Sequence, residues 1–60
     1  MEKQILIKTI QGTDIFVSVN SIESVAVTST GCAVYLSSGT VWHTMETVDL
    51  LLPRIERARQ

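Results

Sequence analysis

Two glycine-bearing pairs inside one run of alternating apolar residues constrain this chain more than any other feature. The run is Ser24–Thr44, SVAVTSTGCAVYLSSGTVWHT, and the pairs are Thr30-Gly31 and Ser38-Gly39. β-Branched and aromatic residues flank both pairs, the pattern of a three-strand antiparallel meander. Placing each pair at the centre of a two-residue hairpin loop predicts a register. The first turn sets Val27 opposite Val34, Val25 opposite Leu36 and Ala26 opposite Tyr35. The second sets Leu36 opposite Val41, Val34 opposite His43 and Tyr35 opposite Trp42. Side chains alternate between the two faces of a strand. An aliphatic face (Val25, Val27, Val34, Leu36, Val41) and an aromatic face (Ala26, Ala33, Tyr35, Trp42) are therefore expected.

The residues before the meander read as a hairpin. Met1–Gln4 is expected to be a frayed start. Ile5–Ile10 is rich in β-branched residues and reads as a first strand, and Ile15–Val19 as a second. With Gly12-Thr13 at the centre of the intervening turn, Ile10 faces Ile15 and Lys8 faces Val17. Ile5, Leu6 and Ile7 are consecutive, so both faces of the first strand are apolar there, as suits a strand covered on both sides. Asn20–Glu23 breaks the alternation and reads as an irregular turn in which Ile22 plugs the core.

After the meander the period changes. Val48, Leu51, Leu52 and Ile55 form one apolar stripe at helical spacing. Thr47 is the expected N-cap, or Thr44 if the helix starts earlier. Glu46 and Asp49 near the start and Arg54, Arg57 and Arg59 near the end suit the helix macrodipole. Pro53 lies within this pattern, where it removes a backbone bond and crowds the preceding turn. One helix kinked near Pro53 is expected, packed on the aliphatic face. The fold class is thus α+β: an antiparallel sheet of about five strands, including the meander Ser24–Thr44, then one C-terminal helix.

At 60 residues this is a single small domain, 1–60, with little core to spare. A lone cysteine excludes an internal disulfide, and one cysteine with one histidine is too few for an ordinary structural zinc site. Oligomerisation is the remaining route to stability, and the 45% hydrophobic content can supply both a core and an interface. No metal and no cofactor are expected. Five basic residues against six acidic ones give a net charge of -1, which offers no general attraction to nucleic acid or an acidic membrane. The polar start and the short Ile5–Ile7 run do not resemble a signal peptide, and nothing reaches membrane-span length. With a lone thiol, a cytoplasmic location is expected.

The candidate site residues divide by chemistry. Tyr35 and Trp42, with Phe16 and the first-strand residues Ile5 and Ile7, are expected to form an interface with another copy or another protein. Arg54, Arg57 and Arg59 are the only cationic cluster; it reads first as a solvated helix end, and functionally as a contact for nucleic acid or an acidic partner. His43 is expected beside Val34 on the aliphatic face, with no acid or nucleophile singled out for it, and reads as structural. Cys32 has no basic neighbour in sequence and reads as a small buried hydrophobe. Asp14, Glu23, Glu46 and Asp49 are scattered, without the spacing of a metal site or an acid/base pair.

Taken in order, Gly12-Thr13-Asp14-Ile15-Phe16, Val19-Asn20, Ile22-Glu23, Val34-Tyr35-Leu36, Ser38-Gly39 and Glu46-Thr47-Val48 resemble the small flagellar FlbD-like proteins. That resemblance implies a non-enzymatic accessory protein of bacterial or phage origin that acts through protein contacts. Ile7-Lys8-Thr9, Val19-Asn20-Ser21-Ile22, Val34-Tyr35-Leu36 and Leu52-Pro53-Arg54-Ile55 resemble the first half of LytTR-type DNA-binding domains. This second resemblance implies a nucleic-acid-binding regulator. The favoured expectation is a non-enzymatic, oligomeric protein-binding module, whether adaptor, regulator or inhibitor. Its partners would be itself and another protein, with nucleic acid the alternative.

Overall fold

Three turns decide how the strands of this protein meet. The computed structural model describes residues 3–60. In chain order these form β1 (Gln4–Lys8), β2 (Asp14–Ser18), a 3-10 turn (Val19–Ser21), β3 (Ile22–Thr28), β4 (Gly31–Leu36), β5 (Val41–Thr44) and α1 (Val48–Arg59). Met1 and Glu2, half of the stretch expected to fray, lie outside the described residues, and Gln4 already belongs to β1. All the strand pairs are antiparallel.

Among the described residues only glycines take positive φ. A primed two-residue turn centred on Ser38-Gly39 would need positive φ at the serine too. The chain instead closes Leu36 on Thr40, with Leu36 N–H donating to Thr40 O at 2.9 Å and Gly39, φ +94°, at the last place of a three-residue loop. The first hairpin uses the same device: Thr9 N–H donates to Thr13 O at 2.9 Å, and Gly12, φ +89°, ends the loop. The extra loop residue slips the β4–β5 register by one, and the first hairpin, whose loop also closes earlier in the chain, is shifted by three; either odd shift exchanges the faces of a strand.

The expected pairings are corrected accordingly. In the first hairpin Ile7 pairs with Ile15, Ile5 with Val17 and Lys8 with Asp14, rather than Ile10 with Ile15 and Lys8 with Val17. Across β4 and β5, Val34 pairs with Trp42, Ala33 with His43 and Tyr35 with Val41. The expected Tyr35–Trp42, Val34–His43 and Leu36–Val41 pairs do not form. Trp42 joins the aliphatic face, while Val41 and His43 leave it. Across β3 and β4 the loop is Ser29-Thr30 rather than Thr30-Gly31, so Val25 faces Val34, Ala26 faces Ala33 and Val27 faces Cys32. This shift is by two residues, so the expected division of faces survives there. A bulge at Glu23 separates the Ile22–Leu36 and Ser24–Tyr35 pairs.

The five strands do not form one sheet. β1 and β2 form one hairpin sheet, and β3-β4-β5 a second. Among the described residues they touch as strands only at a Thr9–Thr44 bridge, beside which Ile10 N–H donates to His43 O at 3.0 Å. Both threonines are buried. Beyond that bridge the sheets part, and α1 enters the opening. Ile5, Ile7 and Val17 from the first sheet meet Cys32 and Val34 from the second, with Val19 and Ile22 at the turn between them and Leu51 and Ile55 from the helix. Ile22 plugs the core as expected, and Val25, Leu36 and Trp42 pack around its margin.

The helix begins at its expected cap. Thr47 is extended, and its carbonyl accepts the N–H groups of Leu50 at 3.1 Å and Leu51 at 3.0 Å. α1 then runs through Pro53 as a single element. Leu51 and Ile55 form its buried stripe, whereas Leu52 stays substantially exposed. Fully burying a side chain of this size contributes about 1.5–3 kcal/mol. Those two residues offset a helix-interior proline, which costs about 3 kcal/mol.

Candidate interaction surfaces

Strand parity decides which of the expected interface residues can reach a partner. Ile5 and Ile7 pair with Val17 and Ile15 and are buried in the chain's own core, which removes them from any surface. Phe16 pairs with Leu6 on the opposite, outward side and is 69% exposed. Tyr35 and Val41 form an outward pair on the second sheet, and both are exposed. Trp42, slipped by one residue, is half-buried against the core instead of beside Tyr35. Of the five candidates, Phe16 and Tyr35 therefore remain outward. They stand on different sheets, whose outward sides run on from one another at the Thr9–Thr44 bridge.

The arginines are held by the fold. Odd-numbered residues of β1 bond towards β2, as the 3.0 Å bond from Val19 N–H to Lys3 O shows, so Leu6 turns its backbone to the open edge. Arg54 reaches from α1 to donate to that Leu6 carbonyl and pairs with the Glu46 carboxylate. It covers a stretch of β1 edge that β5 has left. Arg59 closes the other end of the helix on the 3-10 turn, donating to Ile22 O at 3.3 Å and Val19 O at 3.5 Å. Arg57 is exposed and lines a shallow cleft with Lys3, Leu6 and Ala58. The three cations thus do not make one free cluster.

The two reactive side chains differ in exposure. His43 is exposed on the outward side of β5, opposite Ala33. Cys32 is buried, and its thiol donates to Glu46 O at 3.2 Å. Burial, and then the negative charge of Glu46, push the thiol pKa above its ordinary value. The protonated, enclosed thiol fits the reading of a small buried hydrophobe. Among the described residues no three His, Cys, Asp or Glu side chains gather to hold a metal ion. Nor is any described helix long and apolar enough to cross a membrane.

A second apolar feature was not visible in the sequence. Val27 lies on the core-facing side of β3 but beyond the end of the core, and it is 73% exposed. Between β3 and α1 runs a groove of mixed lining, with Val25, Leu52 and Ile55 beside Glu23, Ser24 and Arg59. Apolar alternation placed Val27 correctly by face but could not tell where along the strand the core stops. Comparison of the chain with protein-family models, with curated proteins and with solved structures finds no match.

Proposed function

We propose that this chain is a non-enzymatic protein-binding module that works as an oligomer and presents an outward aromatic surface to another protein. The observation that carries this reading is the position of Phe16. A large ring stands 69% exposed over its cross-strand partner Leu6. Tyr35 and Val41 extend the same kind of surface on the adjoining sheet. Tyr and Phe are enriched at protein interfaces, where rigid rings bury area at low entropic cost. The solitary His43 and the enclosed Cys32 support a role without catalysis.

The test uses a photo-crosslinking amino acid at position 16 or 35 in the full chain, expressed in its native cells, with exposed position 56 on α1 as control. Adducts to a second protein from positions 16 and 35, and few from 56, are expected. Equal or absent adducts at all three overturn the reading. Binding to DNA with a steep loss on added salt would replace it with the nucleic-acid alternative.

A further inference from the structure

Strand β3 is the outer edge of its sheet, and its hydrogen-bonding groups can be assigned residue by residue. Leu36 N–H bonds Thr40 O, so the even residues of β4 turn to β5 and the odd residues turn to β3. Ser37 N–H donating to Ser21 O at 2.8 Å continues that phase past the bulge. On β3 the residues bonded to β4 are therefore Ser24, Ala26 and Thr28. Val25 and Val27 turn their N–H and C=O groups outward, where among the described residues β3 has no neighbouring strand. Proteins ordinarily protect such an edge with lysine, proline or inward charge. From Ser24 to Thr28 this one carries none.

We infer that β3 is a self-association site: a second copy of this chain pairs its own β3 antiparallel to this one about a two-fold axis at Ala26. Two-fold axes at Val25, Ala26 and Val27 all bring outward groups together, but the first sets Val27 opposite Glu23 and the last sets Val25 opposite Ser29. Only a dyad centred on Ala26 matches Val25 with Val27 of the second copy in both directions, so that each pair exchanges both of its N–H···O bonds. Ala26 then lies beside its own counterpart and Ser24 beside Thr28, with no charge facing a like charge. Paired residues share a face, so the exposed Val27 of each copy is set beside Val25 of the other, at the groove where Leu52 is 41% exposed. Knob and groove belong to the same surface, which is the self-complementarity that a two-fold interface requires. The joined sheets form one six-stranded sheet across the dyad, each copy supplying the three strands of its β3-β4-β5 sheet. The free edge of β2 fits less well, because Ile15 and Val17 are already covered there and pairing would enclose only Phe16.

This inference deepens the oligomeric part of the proposed function and leaves the outward aromatic surface for a different protein. Native mass over a concentration series is measured for the wild type, Val27→Pro, Val27→Lys and Phe16→Ser, together with amide exchange of Val25 and Val27. Proline at 27 removes an outward N–H and leaves the β3–β4 ladder intact, and lysine restores ordinary edge protection. The expected result is a dimer whose dissociation constant rises by at least about tenfold in both Val27 variants and stays unchanged in Phe16→Ser. The Val25 and Val27 amides, which have no acceptor among the described residues, become protected only as the dimer forms. A dimer that persists in both Val27 variants overturns the β3 assignment but keeps the oligomeric reading. Loss in Phe16→Ser alone moves the interface to the β2 side. A wild type that remains monomeric throughout overturns both the edge and the oligomer, while the crosslinking experiment still decides the partner surface.

Discussion

Gly31 is the residue whose size matters most. A Cβ there would lie 2.3 Å from Thr44 O and 2.7 Å from Met45 C, both backbone atoms that cannot swing aside, and its φ is +154°. Gly12 and Gly39 have left-handed φ but open space around them. Gly31→Ala should therefore destabilise far more than Gly12→Ala or Gly39→Ala, each of which costs about 1–2 kcal/mol for its backbone angle alone. Urea unfolding of the three variants measures the order. Cys32 gives a pH signature at the same scale. Its folded pKa is raised, so above the ordinary thiol value of 9.0 the folded state holds a proton that the unfolded chain releases. Its contribution is complete below that value and declines as pH rises through the folded pKa. Replacement by alanine should flatten the alkaline fall in stability, read from thermal melts between neutral pH and pH values above 9.0. The burial of Cys32 was legible in the sequence from the lack of cations near it. The inward turn of Trp42 was not, because it hangs on one loop residue.

Elements explain why that was so. Apolar alternation located all five strands and the helix, because period-two and helical patterns are properties of a segment by itself. Register depends on how a loop closes, and Ser-Gly suits a two-residue and a three-residue loop equally well. The structure chose the loop that confines positive φ to glycine. Arg54 illustrates a different limit. Its cationic character is plain in the sequence, but its acceptor, Leu6 O, lies at the far end of the chain. Arg54→Met should cost about 1–3 kcal/mol, through the lost charged bond to Leu6 and the Glu46 carboxylate left without its partner. Arg54→Lys should recover only part of that loss, since an ammonium lacks the forked geometry that serves both acceptors. Chemical denaturation of both variants checks the difference. In α1, Pro53 is exposed and lies in the interior of a continuous helix. Pro53→Ala should stabilise the chain by up to about 3 kcal/mol by restoring the missing backbone donor. A loss of stability on that substitution would show that the proline shapes the packing of Leu51 and Ile55.

For the whole molecule, the decisive feature is that two small sheets share one core and one strand bridge. The sequence offered no sign that they would part, because both hairpins carry an apolar face and either could have continued the other's sheet. Parting lets α1 place Leu51, fully buried, between them. Leu51→Ala should cost about 2–5 kcal/mol, against a total stability of roughly 3–9 kcal/mol for a chain of this length. The variant should melt at a clearly lower temperature than the wild type, as a melt followed by circular dichroism would record. The arrangement also bears on how the protein comes into being. β1 is made before β5 and α1, yet the Thr9–Thr44 bridge and the grip of Arg54 on Leu6 both await those later residues. During translation the opening hairpin must remain on the ribosome with its edge uncovered and its apolar face unmatched. Folding therefore completes only after α1 has emerged, and a pause in synthesis just before Thr44 would leave the nascent chain exposed to aggregation.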